Sequence, residues 1–107
     1  MTQKDFVKAI GDTFTDALDI LKKKNSDYAA ETDPWKNFRF AELVDVGVER
    51  AILVRMSDKL ARISNILNKE TQVKDESIMD TLVDLVNYSA ILKVYIDNEK
   101  KSATVKA

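Results

Sequence analysis

Three carboxylates and an amide, Glu76, Asp80, Asp84 and Asn87, follow one another at steps of four, four and three. A helix advances about 100° per residue, so these steps set all four in one narrow stripe. Like charges one turn apart repel, even in water. No Lys or Arg lies between Lys74 and Lys93 to offset them on the same helix. A bound cation is therefore one reading, and oxygen ligands suit Mg²⁺ or Mn²⁺; a solvated acidic face is the other. Glu49 is a further acid of interest. It shares its helical phase with Leu53, Met56, Leu60, Ile63 and Leu67, an apolar stripe on which a carboxylate must be paired, protonated or metal-bound. Packing of the two helices would join Glu49 to Glu76 and Asp80 around one ion. Alternatively, Glu49 opens its helix, where free backbone N–H groups stabilise it.

Two more groupings bear on ligands. Arg55, Asp58 and Arg62 form a stripe with Lys59 at its edge. This is either a solvated ion-pair ladder or a phosphate clamp oriented by Asp58. Tyr28, Trp35, Phe38 and Phe40 crowd the segment around the only proline, Pro34. Those rings either close the end of a bundle or form a stacking platform for a base, with Asn25, Asp27 and Asn37 reading base or sugar edges.

The composition narrows the chemistry. The chain has 107 residues, no Cys and no His. That excludes a disulfide framework, a thiolate nucleophile and a zinc–thiolate site, and removes the commonest general base. A net charge of −1 gives no support for direct nucleic-acid binding. The longest aliphatic run, residues 51–54, is far short of the ~20 that span a bilayer. No secretory apolar segment follows Met1. The expectation is one cytoplasmic domain without a membrane segment.

The elements that must position these groups are helical. Two Gly and one Pro leave few breaks. Phe6, Ile10, Phe14, Ala17, Leu18 and Leu21 predict an amphipathic helix over 4–24. Periodicity stops over 25–40, a long aromatic loop of the kind that usually carries function. A turn over 41–44 leads to a second helix over 47–68, with Leu53, Met56, Leu60, Ile63 and Leu67 as its core stripe. After a polar break, Asp75 caps a third helix over 76–98. This third helix is apolar on three sides, which predicts burial. Tyr88 and Tyr95, seven apart, suggest a face for a partner. The expected architecture is all-α: an antiparallel bundle of three main helices plus the loop, with a domain over 1–98 and a flexible polar tail over 99–107, completed by oligomerisation to a homodimer or homotetramer.

Several runs carry a family resemblance: Lys24-Asn25-Ser26-Asp27-Tyr28, Asp33-Pro34-Trp35-Lys36-Asn37-Phe38, Arg55-Met56-Ser57-Asp58-Lys59-Leu60-Ala61-Arg62, Asp75-Glu76-Ser77-Ile78-Met79-Asp80 and Asp84-Leu85-Val86-Asn87-Tyr88. Together they resemble the small phage and bacterial family called nucleotide modification associated domain 1. That family is similar in turn to the all-α MazG-like and dimeric dUTPase-like nucleoside triphosphate pyrophosphohydrolases. The resemblance implies nucleotide binding and Mg²⁺-dependent hydrolysis to a monophosphate and pyrophosphate, in phage or bacterial nucleotide metabolism, and hence in the host cytoplasm if phage-encoded. It also implies a subunit pairing like that of those enzymes. The superfamily pattern pairs E-x-x-E on one helix with E-x-x-D on the next and an Asn seven residues beyond. Glu49, Asp80 and Asn87 match it. Ile52 and Ser77 stand where the pattern has Glu.

On this reading Glu49, Glu76 and Asp80 hold Mg²⁺ (or Mn²⁺), and Glu49 and Asp84 are the catalytic candidates, Asp84 as base. Arg55, Lys59 and Arg62, or Lys36 and Arg39, neutralise phosphate charge. Lys24, Asn25, Asp27, Tyr28, Trp35, Asn37, Phe38, Asp58 and Asn87 complete the nucleotide site. A non-catalytic binder that sequesters or senses a nucleotide in phage–host interaction needs the loop and the basic groups but not the metal.

Overall fold

The computed structural model describes the backbone of residues 1–28, 33–69 and 76–106 and the side chains of 1–24, 33–69 and 78–103. It is all-helical: α1 (Gln3–Tyr28), α2 (Lys36–Arg39), a 3₁₀ turn (Phe40–Val44), α3 (Val48–Leu67) and α4 (Glu76–Lys106). Thr2 starts α1 by accepting the Asp5 N–H on its hydroxyl at 3.1 Å, and Asp5 adds a favourable charge in the first turn. No Gly or Pro interrupts 24–28, so α1 continues four residues past its expected end. The 3₁₀ turn stops at Asp45, whose φ of 61° is left-handed. The Val46 N–H then reaches the Ala41 carbonyl and the Asp45 N–H the Glu42 carbonyl, a Schellman-type closure. Gly47, extended, caps the start of α3.

α4 runs on to Lys106. The segment expected to be a polar tail is helical: residues 99–106 contain no Gly or Pro, and their Glu, Lys and Ala residues are good helix formers. The expected cap at Asp75 and the break over 70–75 lie outside the described residues.

α3 and α4 pack antiparallel, Val48 meeting Tyr95 at one end while Ile66 and Ile78 are buried at the other. Val48, Ile52 and Tyr95 form the central cluster, with Trp35, Phe38, Met56, Tyr88, Ile91 and Leu92 against it. The expected α3 stripe is corrected here. Leu53, Leu60 and Leu67 are all more than half exposed, whereas Val48, Ile52 and Ile66 are buried. The buried face is rotated by roughly 90° from the expected one, at 100° per residue. α3 has aliphatic residues on two faces, and only the second carries the β-branched series 48–52–66. Tyr88 and Tyr95 are corrected too: they meet Phe38 and Trp35 inside the chain rather than facing a partner. α1 lies chiefly on α4, through the buried Ala17. There the buried Asn87 amide donates to the Ala17 carbonyl at 3.0 Å.

Candidate functional site

A groove with a cavity of about 680 Å³ opens between α1 and α4 and is bounded by the 34–40 segment. α1 supplies Leu18, Leu21 and Lys24 at steps of three. α4 supplies Asp84, Asn87, Tyr88, Ile91 and Val94 from one stripe. Arg55 comes from α3, and Pro34 to Phe38 with Phe40 form the remaining wall. The lining is mainly apolar, with cations and amides set into it.

Two rings are fastened before any ligand arrives. Trp35 meets Tyr95 edge-on at 5.4 Å, and Phe38 meets Tyr88 edge-on at 6.3 Å, the geometry favoured by aromatic quadrupoles. The packing alternative read from the sequence holds for these rings, which lie against the core cluster, and the same rings line the groove. Phe40 instead projects, largely exposed. The segment is tied at its base by Asp33. Its carboxylate accepts from Arg39 Nε at 2.6 Å and from the Trp35 N–H at 3.2 Å, while Arg39 also reaches Glu42 at 3.4 Å. The Lys36 N–H closes a turn on the Asp33 carbonyl, with Pro34 pre-setting φ. The Arg39 hydrogen bond holds the Asp33 carboxyl below its ordinary value, and the same bond raises Arg39.

Asp84 of the α4 stripe finds its cations in other helices. Asp84 accepts from Lys24 of α1 at 3.1 Å and from Lys59 of α3 at 3.0 Å, one ammonium on each oxygen. Burial pushes its carboxyl up, but the hydrogen bonds from Lys59 and Lys24, with their charges, outweigh this and leave it below the ordinary value. Asp84 is thus a committed anion joining three helices. Burial raises the Tyr95 hydroxyl, helped by the carboxylates of Glu99 and Glu49, so the phenol stays neutral.

Eight of the expected site residues line the one groove: Lys24, Trp35, Lys36, Asn37, Phe38, Arg55, Asp84 and Asn87. Lys59 adjoins it through Asp84. Arg39 serves the Asp33 clamp instead. Asp58 and Arg62 are exposed on α3 and do not line the groove. Glu49 occupies the first turn of α3 and curls back over Gly47, the helix-start reading. Because α3 and α4 are antiparallel, Glu49 sits at the level of Tyr95, ~22 Å along α4 from Asp80 at 1.5 Å per residue. The trio of Glu49, Glu76 and Asp80 therefore does not gather around one ion. Among the described residues no group of three acids does so. Asp80 is exposed. The side chains of Asn25, Asp27, Tyr28 and Glu76 lie outside the described set. Leu18, Leu21, Ile91 and Val94 were not expected in the site. Their 3–4 spacing marks them equally well as core, and no local signal separates the two.

The described residues thus bring together an aromatic-walled groove, three cations along it and an aspartate held by two lysines. A family model, nucleotide modification associated domain 1, matches residues 24–95, and the chain belongs to that family. The matched span contains every groove residue except Leu18 and Leu21. No curated protein and no solved structure is significantly similar to the chain. Among the described residues no helix is long and apolar enough to cross a membrane.

Proposed function

We propose that the groove binds a nucleotide, with the base against the wall of Trp35 and Phe38 and the phosphates toward Lys24, Lys36 and Arg55. The observation that carries this reading is the convergence of anchored rings and cations on one cavity, from four separate stretches of chain. Stacking supplies contact that any base satisfies, and the cations supply charge-assisted hydrogen bonds to phosphate. Asn37 and Asn87 bring amides to the same wall, although the Asn87 Nδ2 is already engaged by Ala17. The family's name accords with a nucleotide ligand.

Trp35 is the sole tryptophan, so its emission reports on this wall. A nucleotide is expected to shift that emission and raise the melting temperature. Arg55→Ala and Lys36→Ala should each weaken binding about 10- to 100-fold, the loss of one charge-assisted bond, and the bare nucleoside should bind more weakly still. No response to any common ribo- or deoxyribonucleotide would overturn the reading.

Pyrophosphohydrolysis, the activity of the MazG-like enzymes, is the second reading. It is favoured by Asp80, Asp84 and Asn87 following one α4 stripe toward the groove. Glu49 and Asp80 lie too far apart to hold one Mg²⁺ between them, ~22 Å along α4. Release of pyrophosphate from a nucleoside triphosphate in the presence of Mg²⁺, lost in Asp80→Asn, would establish this reading. Nucleotide binding that persists in chelator without turnover would leave the non-catalytic binder.

A further inference from the structure

We propose that Asp84 is a built-in competitor for the ligand's phosphate: it holds Lys24 until the phosphate end of a nucleotide takes that ammonium from it, untying α1 from α4 as the ligand binds. This rests on the groove being a nucleotide site and adds how that site is regulated. Asp84 is the one acid lining the groove among the described residues. Like charges brought together oppose binding, so a carboxylate on this wall works against a phosphate. It also occupies a cation. Of the three cations on the wall, Lys36 and Arg55 make no ion pair among the described residues, whereas Lys24 is engaged by Asp84. The carboxylate thus gives Lys24 the kind of oxygen that a phosphate would give it.

The two ties on Asp84 are unequal. The Lys24 side chain is 57% exposed and meets Oδ1 at 3.1 Å. The Lys59 side chain is 26% exposed and meets Oδ2 at 3.0 Å. An exposed pair is screened by water and nets little stability, so Lys24 is free to change partner. Lys59, more sheltered, keeps Asp84 ionised and in place. A terminal phosphate carries about −1.5 to −2 charges against one on the carboxylate, so the exchange runs toward the ligand. α1 stays docked when Lys24 leaves, because the Asn87 amide still donates to the Ala17 carbonyl, about two turns earlier on α1. Whatever Lys24 gives the phosphate is reduced by the tie it gives up. Its net contribution to binding is therefore smaller than that of Lys36 or Arg55.

Calorimetric titration with inorganic tripolyphosphate tests this, in chelator so that no divalent ion bridges ligand and carboxylate. Asp84→Asn should bind about five- to tenfold more tightly than the unaltered chain, the reverse of what a ligand-contacting Asp84 gives. Lys24→Ala then separates exchange from simple repulsion. It should weaken binding about twofold in the unaltered chain and about tenfold in Asp84→Asn, where Lys24 is uncommitted. Binding in Asp84→Asn that is unchanged or weaker, or equal losses from Lys24→Ala in both backgrounds, overturns the proposal. Carbon NMR of the Asp84 carboxyl in the unaltered chain is a second readout if Asp84→Asn fails to fold. Saturation with tripolyphosphate should move that resonance toward its position in ligand-free Lys24→Ala, where Lys59 alone remains. A resonance that stays fixed at saturation overturns the exchange. The nucleotide reading fails separately. Tripolyphosphate binding with these differences, while no nucleotide shifts Trp35 emission, leaves the exchange standing and removes the base. Nucleotide binding without these differences does the opposite, and binding of neither ligand overturns both.

Discussion

The α3–α4 junction and the N-terminal half of α1 are written in the same code and end differently. Both repeat aliphatic and aromatic residues at steps of three and four. At the junction, Ile52 and Val48 are sealed against Tyr95, with Trp35 and Phe38 packed around them. On α1, Phe6, Ile10 and Phe14 meet solvent within the chain. Helical periodicity thus defines a face but not its cover, which must come from another element of adequate size. The junction has two facing helices and the 34–40 segment. Among the described residues the start of α1 has no such neighbour, and it lies outside the span shared with the family.

The contrast is broken most severely at Ile52. Ile52→Ala should cost about 2–5 kcal/mol in a urea titration, the range for emptying a packed site. Phe14→Ala, at a side chain 58% exposed within the chain, should cost about 0.5 kcal/mol or less in dilute protein, and a loss that grows with protein concentration would show that a second copy covers α1. A loss at Ile52 no larger than that at Phe14 would erase the contrast.

Asp84 ties the junction to the C-terminal part of α1, because its lysines are Lys24 there and Lys59 on α3. Asp84→Asn should cost about 1–3 kcal/mol, leaving two ammoniums with a neutral partner. The pH dependence has a definite sign. The folded carboxyl lies below its unfolded value of about 4, so the unfolded chain binds more protons in that window. The stabilisation is complete above the unfolded value and disappears as pH falls through the folded one. The acid limb of stability against pH should therefore be shallower in Asp84→Asn. Superimposable limbs would remove the clamp from the stability of the fold.

The smallest effect is expected at the groove wall. Arg39→Gln removes the tie that Asp33 makes beneath Trp35. It should shift Trp35 emission and weaken nucleotide binding while leaving the melting temperature nearly unaltered, since both partners are solvated. Unchanged emission would mean that packing on Tyr95 alone places the ring.

Much of the fold was legible in the chain. Long uninterrupted periodicity, two glycines and one proline mark three long helices, and the caps at Thr2 and Gly47 fall where local chemistry puts them. The cluster of Trp35, Lys36, Asn37 and Phe38 was legible too, because these residues crowd beside the only proline where the long-helix periodicity stops, although 36–39 form the short α2 in place of the expected loop. Three other points were not. Leu53 and Ile52 are both aliphatic, and α3 could have turned either toward α4; the Val48–Ile52–Tyr95 contact decided it. Glu49 and Asp80 share a pattern in the sequence, but antiparallel packing sets Glu49 level with Tyr95, ~22 Å along α4 from Asp80. Asp84, read as one of three unpartnered acids, is held by two lysines that lie 60 and 25 residues away in the chain. Local spacing determines what a helix is and which groups share its face, since those depend only on neighbours within a turn or two. Partners across helices depend on rotation about each axis and on the direction of packing, and only the tertiary structure decided these.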